Sequence, residues 1–171
     1  MISRPQPDEY SVFPSRYINL VGNAPILEVL EYQQQSTCDL FTAVHPDKAA
    51  YAYAEGKWTI KQVLGHIIDT ERVFAYRALV FSREQIELAG FDQDVYMANS
   101  SFESRSIIDL ANEFKIIRQS TLYLFRSFTE AQLTQKGIAS GNPVSVRALA
   151  YMIAGHEIHH INILKEKYFV D

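Results

Sequence analysis

Ala154-Gly155-His156-Glu157-Ile158-His159-His160 packs three of the chain's five histidines into about a turn and a half of helix. The surrounding sequence places Val146, Leu149, Ala150, Ile153, Ile161 and Leu164 at the i, i+3, i+4, i+7 spacing of a core-facing stripe. With Leu149 at zero and about 100° per residue, His156 falls near −20°, His160 near +20° and His159 near −80°. His156 and His160 therefore point inward. Residues four apart on a helix hold their Cβ atoms roughly 5 to 6 Å apart, close enough for two imidazoles to converge on one metal ion. The other reading of such a pair is two satisfied core histidines, and a third ligand is needed to decide between them.

Three more helices surround this one. Asn23-Ala24-Pro25 supplies a cap and an early-helix proline for a helix of about 18 residues that ends before His45-Pro46. Thr59 and Gln62 stand at capping-box spacing, and Ile60, Val63, Leu64, Ile67, Phe74 and Ala78 give that second helix a buried face to about Ser82. A third helix runs through Ile107, Leu110, Phe114, Ile117, Leu122 and Phe125, and Thr129 with Gln132 marks a short capped turn after it. Ser145 caps the fourth helix, which continues to about Lys167. No strand-like alternation of any length is present, so the expected fold is an all-α four-helix bundle. Residues 1–22, with Pro5, Pro7, Pro14 and Gly22, read as an extended arm pinned by Tyr10, Phe13 and Tyr17. The expected organisation is one domain over residues 1–171.

Composition narrows the partners. A net charge of −4 with no long basic run argues against nucleic acid. No apolar run is long enough to span a membrane, and no signal-peptide pattern opens the chain. The single Cys38 reads as a packed thiol, consistent with a reducing, cytoplasmic setting.

Two positions on the second helix stand out. Glu71 lies on the apolar face, about 40° from Ile67, and a buried carboxylate needs a partner; Arg72, Arg77 or the free N–H of a metal-bound His are the candidates. His66 lies at the margin of the same face, where it either reaches inward or stays wet. The loop Gly90-Phe91-Asp92-Gln93-Asp94-Val95-Tyr96 interrupts the helical periodicity and is either a functional loop or a packed crossover.

The run Gly56-Lys57-Trp58-Thr59 through Gly65-His66-Ile67-Ile68-Asp69-Thr70-Glu71-Arg72, then Gly90-Phe91-Asp92, then Gly155-His156-Glu157-Ile158-His159-His160 resembles the DinB/YfiT-like metalloenzymes in type and order over nearly the whole chain. The resemblance implies a four-helix bundle holding one divalent metal ion per chain through a His of the second helix and an HxxxH pair of the fourth. By position these are His66, His156 and His160. It also implies a small-molecule substrate and one of two activities: hydrolysis, or transfer involving a low-molecular-weight thiol such as bacillithiol, mycothiol or glutathione.

Three imidazoles with a vacant fourth position suit catalysis better than a closed structural site, and zinc, then nickel, suits the donor set. Asp69, Glu71 and Glu157 are carboxylates near the site, each with a structural reading of its own, and none is assigned as general base. Trp58, Phe91 and Tyr96 are candidate pocket walls, with Arg147 as an anion contact. The rival readings are a bundle whose metal is structural and a metal-free binding module for a small molecule or protein partner. A homodimer is an open expectation.

Overall fold

The computed structural model describes residues 1–169. In chain order its elements are α1 (Val12–Ile18), α2 (Ile26–Thr42), α3 (Ile60–Phe81), β1 (Glu87–Leu88), α4 (Gln93–Ala98), α5 (Ile107–Ser127), α6 (Glu130–Leu133), β2 (Lys136–Ala139), β3 (Asn142–Ser145) and α7 (Val146–Lys167). The long helices α2, α3, α5 and α7 are the four expected. α3 packs on α5 and α7, and α2 packs on the other sides of the same pair, closing a four-helix bundle.

The caps explain most of the boundaries. Gln62 N–H donates to Thr59 Oγ1 and Thr59 N–H donates to Gln62 Oε1, so two orphan donors at the start of α3 are satisfied reciprocally. Thr129 and Gln132 repeat the device for α6, and Ser145 Oγ accepts from Ala148 N–H to start α7. At α2 the expectation shifts: Pro25 occupies the N-cap position, with no side-chain cap, and Asn23 lies outside the helix.

Two expectations are corrected. The N-terminal segment is not wholly extended, because Val12–Ile18 forms α1, with Pro14 in the first turn where a missing N–H costs nothing. A small three-stranded sheet is also present, β1 pairing parallel with β2 and β2 antiparallel with β3. Strands of two and four residues are too short to display alternation in sequence. The β2–β3 turn is Ser140-Gly141, with φ of 54° and 73°, the positive values that a two-residue hairpin turn of the I′ kind requires.

The core divides into two apolar clusters. One gathers Ile18, Leu30, Phe81, Leu122, Phe125 and Leu149; the other Phe41, Leu64, Ile67, Leu110, Phe114 and Leu164. On each long helix, buried polar residues lie between the two: Thr37 on α2, Thr70 and Glu71 on α3, Arg118 and Thr121 on α5, His156 and Glu157 on α7. α1 lies so close to α7 that a Cβ at Gly155 would collide with the Tyr17 backbone, which is why that position is glycine. Among the described residues, no helix is long and apolar enough to cross a membrane.

Candidate metal centre

α3 and α7 bring together the three histidines. His156 Nε2 lies 3.0 Å from His66 Nε2 and 3.1 Å from His160 Nε2, and the three nitrogens fall within 4.8 Å of one another. His66 thus takes the inward of its two options. His156 and His160 share one face of α7, one turn apart, while His159 turns aside and packs against Tyr17 with ring centroids 5.6 Å apart. Three ring nitrogens aimed at a common point cannot all be paired by the N–H groups of neutral tautomers, whereas one cation satisfies all three lone pairs.

The surroundings keep the rings neutral. Burial, with a further push from His159, lowers the His66 pKa from 6.5 to about 4. Burial, then the neighbouring His66, lowers His160 to about 3. His156 is driven well below its ordinary value by burial and then by His160 and His66. Neutral imidazole is the ligand form, so these groups need not shed protons to take up a metal at pH 7. Trp58 tilts against His66 at 4.8 Å between ring centroids, and Tyr17 meets His156 edge-on at 5.3 Å. The Thr70 hydroxyl stands 3.5 Å from His66 Nδ1, on the side of the ring away from the cluster.

The carboxylates belong to a different structure. Glu71 is not partnered by Arg72, Arg77 or a histidine but by Arg118 of α5, which grips it with two hydrogen bonds of 2.8 Å from Nε and Nη2. The same guanidinium donates to Glu157 and to the Leu30 carbonyl, and Thr37 Oγ1 donates to the other oxygen of Glu157. Burial pushes the Glu157 carboxyl up, against the pull of Arg118. Arg118 gave no warning as a partner in the sequence, although its position, four after Phe114 and four before Leu122, lies squarely on the apolar stripe of α5. Asp69 sits outside this network, 3.6 Å from Arg72, with burial raising its pKa. All three carboxylates are thus engaged elsewhere than at the histidine cluster.

A cavity of about 780 Å³ opens beside the cluster, with His66, His156, Thr70 and Phe74 in its wall. Phe91 lines it as expected; Tyr96, tilted against Phe91 at 5.2 Å between centroids, does not, and Trp58 backs His66 instead. Arg147 is corrected as an anion contact: its guanidinium is held by Glu9, with Nε donating to Oε2 at 2.8 Å, away from the cavity. The cations in the cavity wall are Arg16 and Arg77. Cys38 is a packed thiol, buried, with Sγ 3.5 Å from the Ala111 carbonyl and its pKa raised by burial.

The sequence profile of the DinB superfamily matches residues 30–164. A candidate metal-dependent hydrolase of Oceanobacillus iheyensis is 23% identical over 144 residues, which span 81% of this chain and 81% of that one. Among solved structures, YfiT from Bacillus subtilis, described as a probable metal-dependent hydrolase with an unusual four-helix bundle topology, matches with a TM-score of 0.71 at 15% identity, over 96% of this chain and 90% of its own. The DinB-like protein YjoA of Bacillus subtilis matches with a TM-score of 0.59 at 22% identity, over 82% of this chain and 87% of its own. At these identities the structural likeness speaks for the fold.

Proposed function

The chain belongs to the DinB superfamily, and from its histidine cluster we propose that it is a metal-dependent hydrolase whose divalent ion is held by His66, His156 and His160. The observation that carries this reading is the convergence of three neutral imidazole nitrogens, two of them, on His66 and His156, in the wall of a substrate-sized cavity. The names of the relatives from Oceanobacillus iheyensis and Bacillus subtilis support it.

The donor set fits the ion. Among the described residues the three nitrogen donors have no fourth protein ligand, the arrangement of a catalytic site rather than a closed structural one, and imidazole favours zinc, then nickel, over magnesium or calcium. A divalent ion bound there supplies Lewis acidity toward a water molecule or a substrate oxygen. The chain's own residues do the rest. Thr70 holds the far nitrogen of His66 and so fixes which nitrogen faces the cluster. Trp58 and Tyr17 close the sides of the rings against bulk water, and the cavity admits a small molecule to His66 and His156. The apolar clusters and the Arg118 network join the helices without the histidines, which supports a fold that survives removal of the ion.

Metal content of untagged protein, measured by plasma mass spectrometry with His66→Ala, His156→Ala and His160→Ala in parallel, tests the site. The expected result is about one zinc or nickel per chain, lost in each variant while helicity persists. No uptake after reconstitution, or equal content in the variants, overturns the metal site. Unfolding of the protein on metal removal would make the ion structural instead. Ester and amide hydrolysis assayed with and without added glutathione or bacillithiol then tests the reaction, since turnover that requires the thiol would make the enzyme a transferase.

A further inference from the structure

Arg77 is a buried cation without an anion. Its side chain lies on α3 at 6% exposure, and among the described residues no carboxylate stands within ion-pairing distance of it. Nη2 donates to the Ala89 carbonyl at 3.0 Å and meets Ser140 Oγ at 3.4 Å, contacts that orient the guanidinium but leave its charge unmatched. Its carbon lies 5.9 Å from the ring centroids of both Phe74 and Phe91. Arg118, fully buried, is matched by two carboxylates, so an unpaired guanidinium is not the habit of this core.

The cavity gives that charge a destination. His66, Thr70, Phe74 and Arg77 recur at four, four and three residues along α3, and all four line the same cavity. Ser11 also lines it, with a buried hydroxyl that has no hydrogen-bond partner among the described residues. So does Ser140, held at a positive φ of 54° where Arg77 reaches it. Arg16, stacked on Phe13 and Tyr17, adds a second cation at the rim; among the described residues it has no carboxylate partner, and Asp92 is the one acid in the wall.

We propose that the substrate carries an oxyanion group, a carboxylate or a phosphate, that seats against Arg77 in the cavity shared with His66 and His156. This deepens the hydrolase reading and rests on it for the chemistry at the histidines. Eleven residues of helix rise separate His66 from Arg77, about 16 Å. The Phe74 ring lies 6.2 Å from the His156 ring and 5.9 Å from the Arg77 guanidinium carbon, so at most about 12 Å separates that carbon from the imidazole. That length, between the rings of Phe74 and Phe91, suits an organic acid with an apolar body rather than a bare inorganic anion.

The test is binding of 4-phenylbutyrate, phenyl phosphate and the neutral 4-phenylbutyramide, measured by titration calorimetry on both zinc-loaded and chelator-treated protein. One or both anions should bind at least about ten-fold more tightly than the amide in both forms, and the tighter of the two identifies carboxylate or phosphate. Arg77→Gln should erase that preference while leaving amide binding within about two-fold, Arg77→Lys should retain part of it, and Arg16→Gln should cost about two- to three-fold. Circular dichroism checks that each variant folds. Equal binding of acid and amide, no binding of either anion, or a preference that survives Arg77→Gln overturns the proposal. A preference found only in the zinc-loaded form also overturns it, since the anion then sits on the metal, and the hydrolase reading stands. A protein that takes up no zinc but keeps the Arg77-dependent preference would uphold the anion site and remove the hydrolase reading.

Discussion

His156 and Glu157 are neighbours on α7, at 5% and 1% exposure, and belong to two polar sites built on opposite rules. Glu157 joins Glu71, Arg118 and Thr37 in a network closed on itself, where each carboxylate oxygen and the guanidinium have partners. His156 joins His66 and His160 in a cluster that is neutral and faces a cavity, where lone pairs converge on one point. Burial is nearly the same in both, so burial does not mark function here. The informative difference is whether the polar atoms satisfy one another or are left aimed at something else.

Removing Arg118 should produce the largest effect of any single change in the bundle. Arg118→Ala strands two buried carboxylates and is expected to cost about 3–5 kcal/mol in urea denaturation, whereas His156→Ala in metal-free protein should cost about half as much or less. Comparable losses would erase the distinction between the sites. Gly155→Ala comes next: the new methyl group must push Tyr17 and α1 off α7, with an expected loss of about 2 kcal/mol and weakened metal uptake, because Tyr17 walls His156. A fall in melting temperature with metal affinity intact would show that the wall is dispensable.

Glu9 sharpens the comparison with a third buried carboxylate, one that anchors the N-terminal segment to α7. Burial opposes its ionisation, but hydrogen bonds from Arg147, Ser145 and the Gln6 backbone prevail and lower its pKa from 4.5 to about 2. The unfolded chain therefore takes up this proton first on acidification. The contribution should be whole above about pH 4.5 and fade as pH falls toward 2, and Glu9→Gln should flatten that part of the stability curve. An unchanged curve in the variant would mean that the pair contributes nothing net. The smallest effect on stability belongs to Thr70→Val, expected within about 0.5 kcal/mol of the parent, while chelator competition should reveal about ten-fold weaker metal binding through the loosened His66 ring. Unchanged affinity would remove Thr70 from the site.

The long helices are legible in the sequence because each carries an apolar stripe and most carry a cap, and those local signals agree with the packing. The inward pair His156 and His160 follows from helical angles alone. His66 does not, because a residue at the margin of a face is committed only by what packs beside it, here Trp58 and α7. α1 is hidden by Pro14, whose place in a first turn cannot be told from an extended segment by composition. Glu71 announces a missing partner, but the partner lies 47 residues away, and nothing local to Glu71 names it. Arg147 and Arg77 exchange the roles their positions suggest for a similar reason: charge matching depends on which carboxylate the fold delivers, and Glu9 is delivered to Arg147.

The adjacency of His156 and Glu157 fixes the length of the chain before them. One residue inserted between Ser145 and Gly155 would turn everything beyond it by about 100°, swinging the imidazoles out of the cluster and carrying Glu157 away from Arg118. Both sites would be lost at once, so α7 is a segment in which substitution is survivable and insertion is not. The hairpin turn at Ser140-Gly141, two residues between paired strands, lies just upstream and is where a change of length could be absorbed without disturbing that phase.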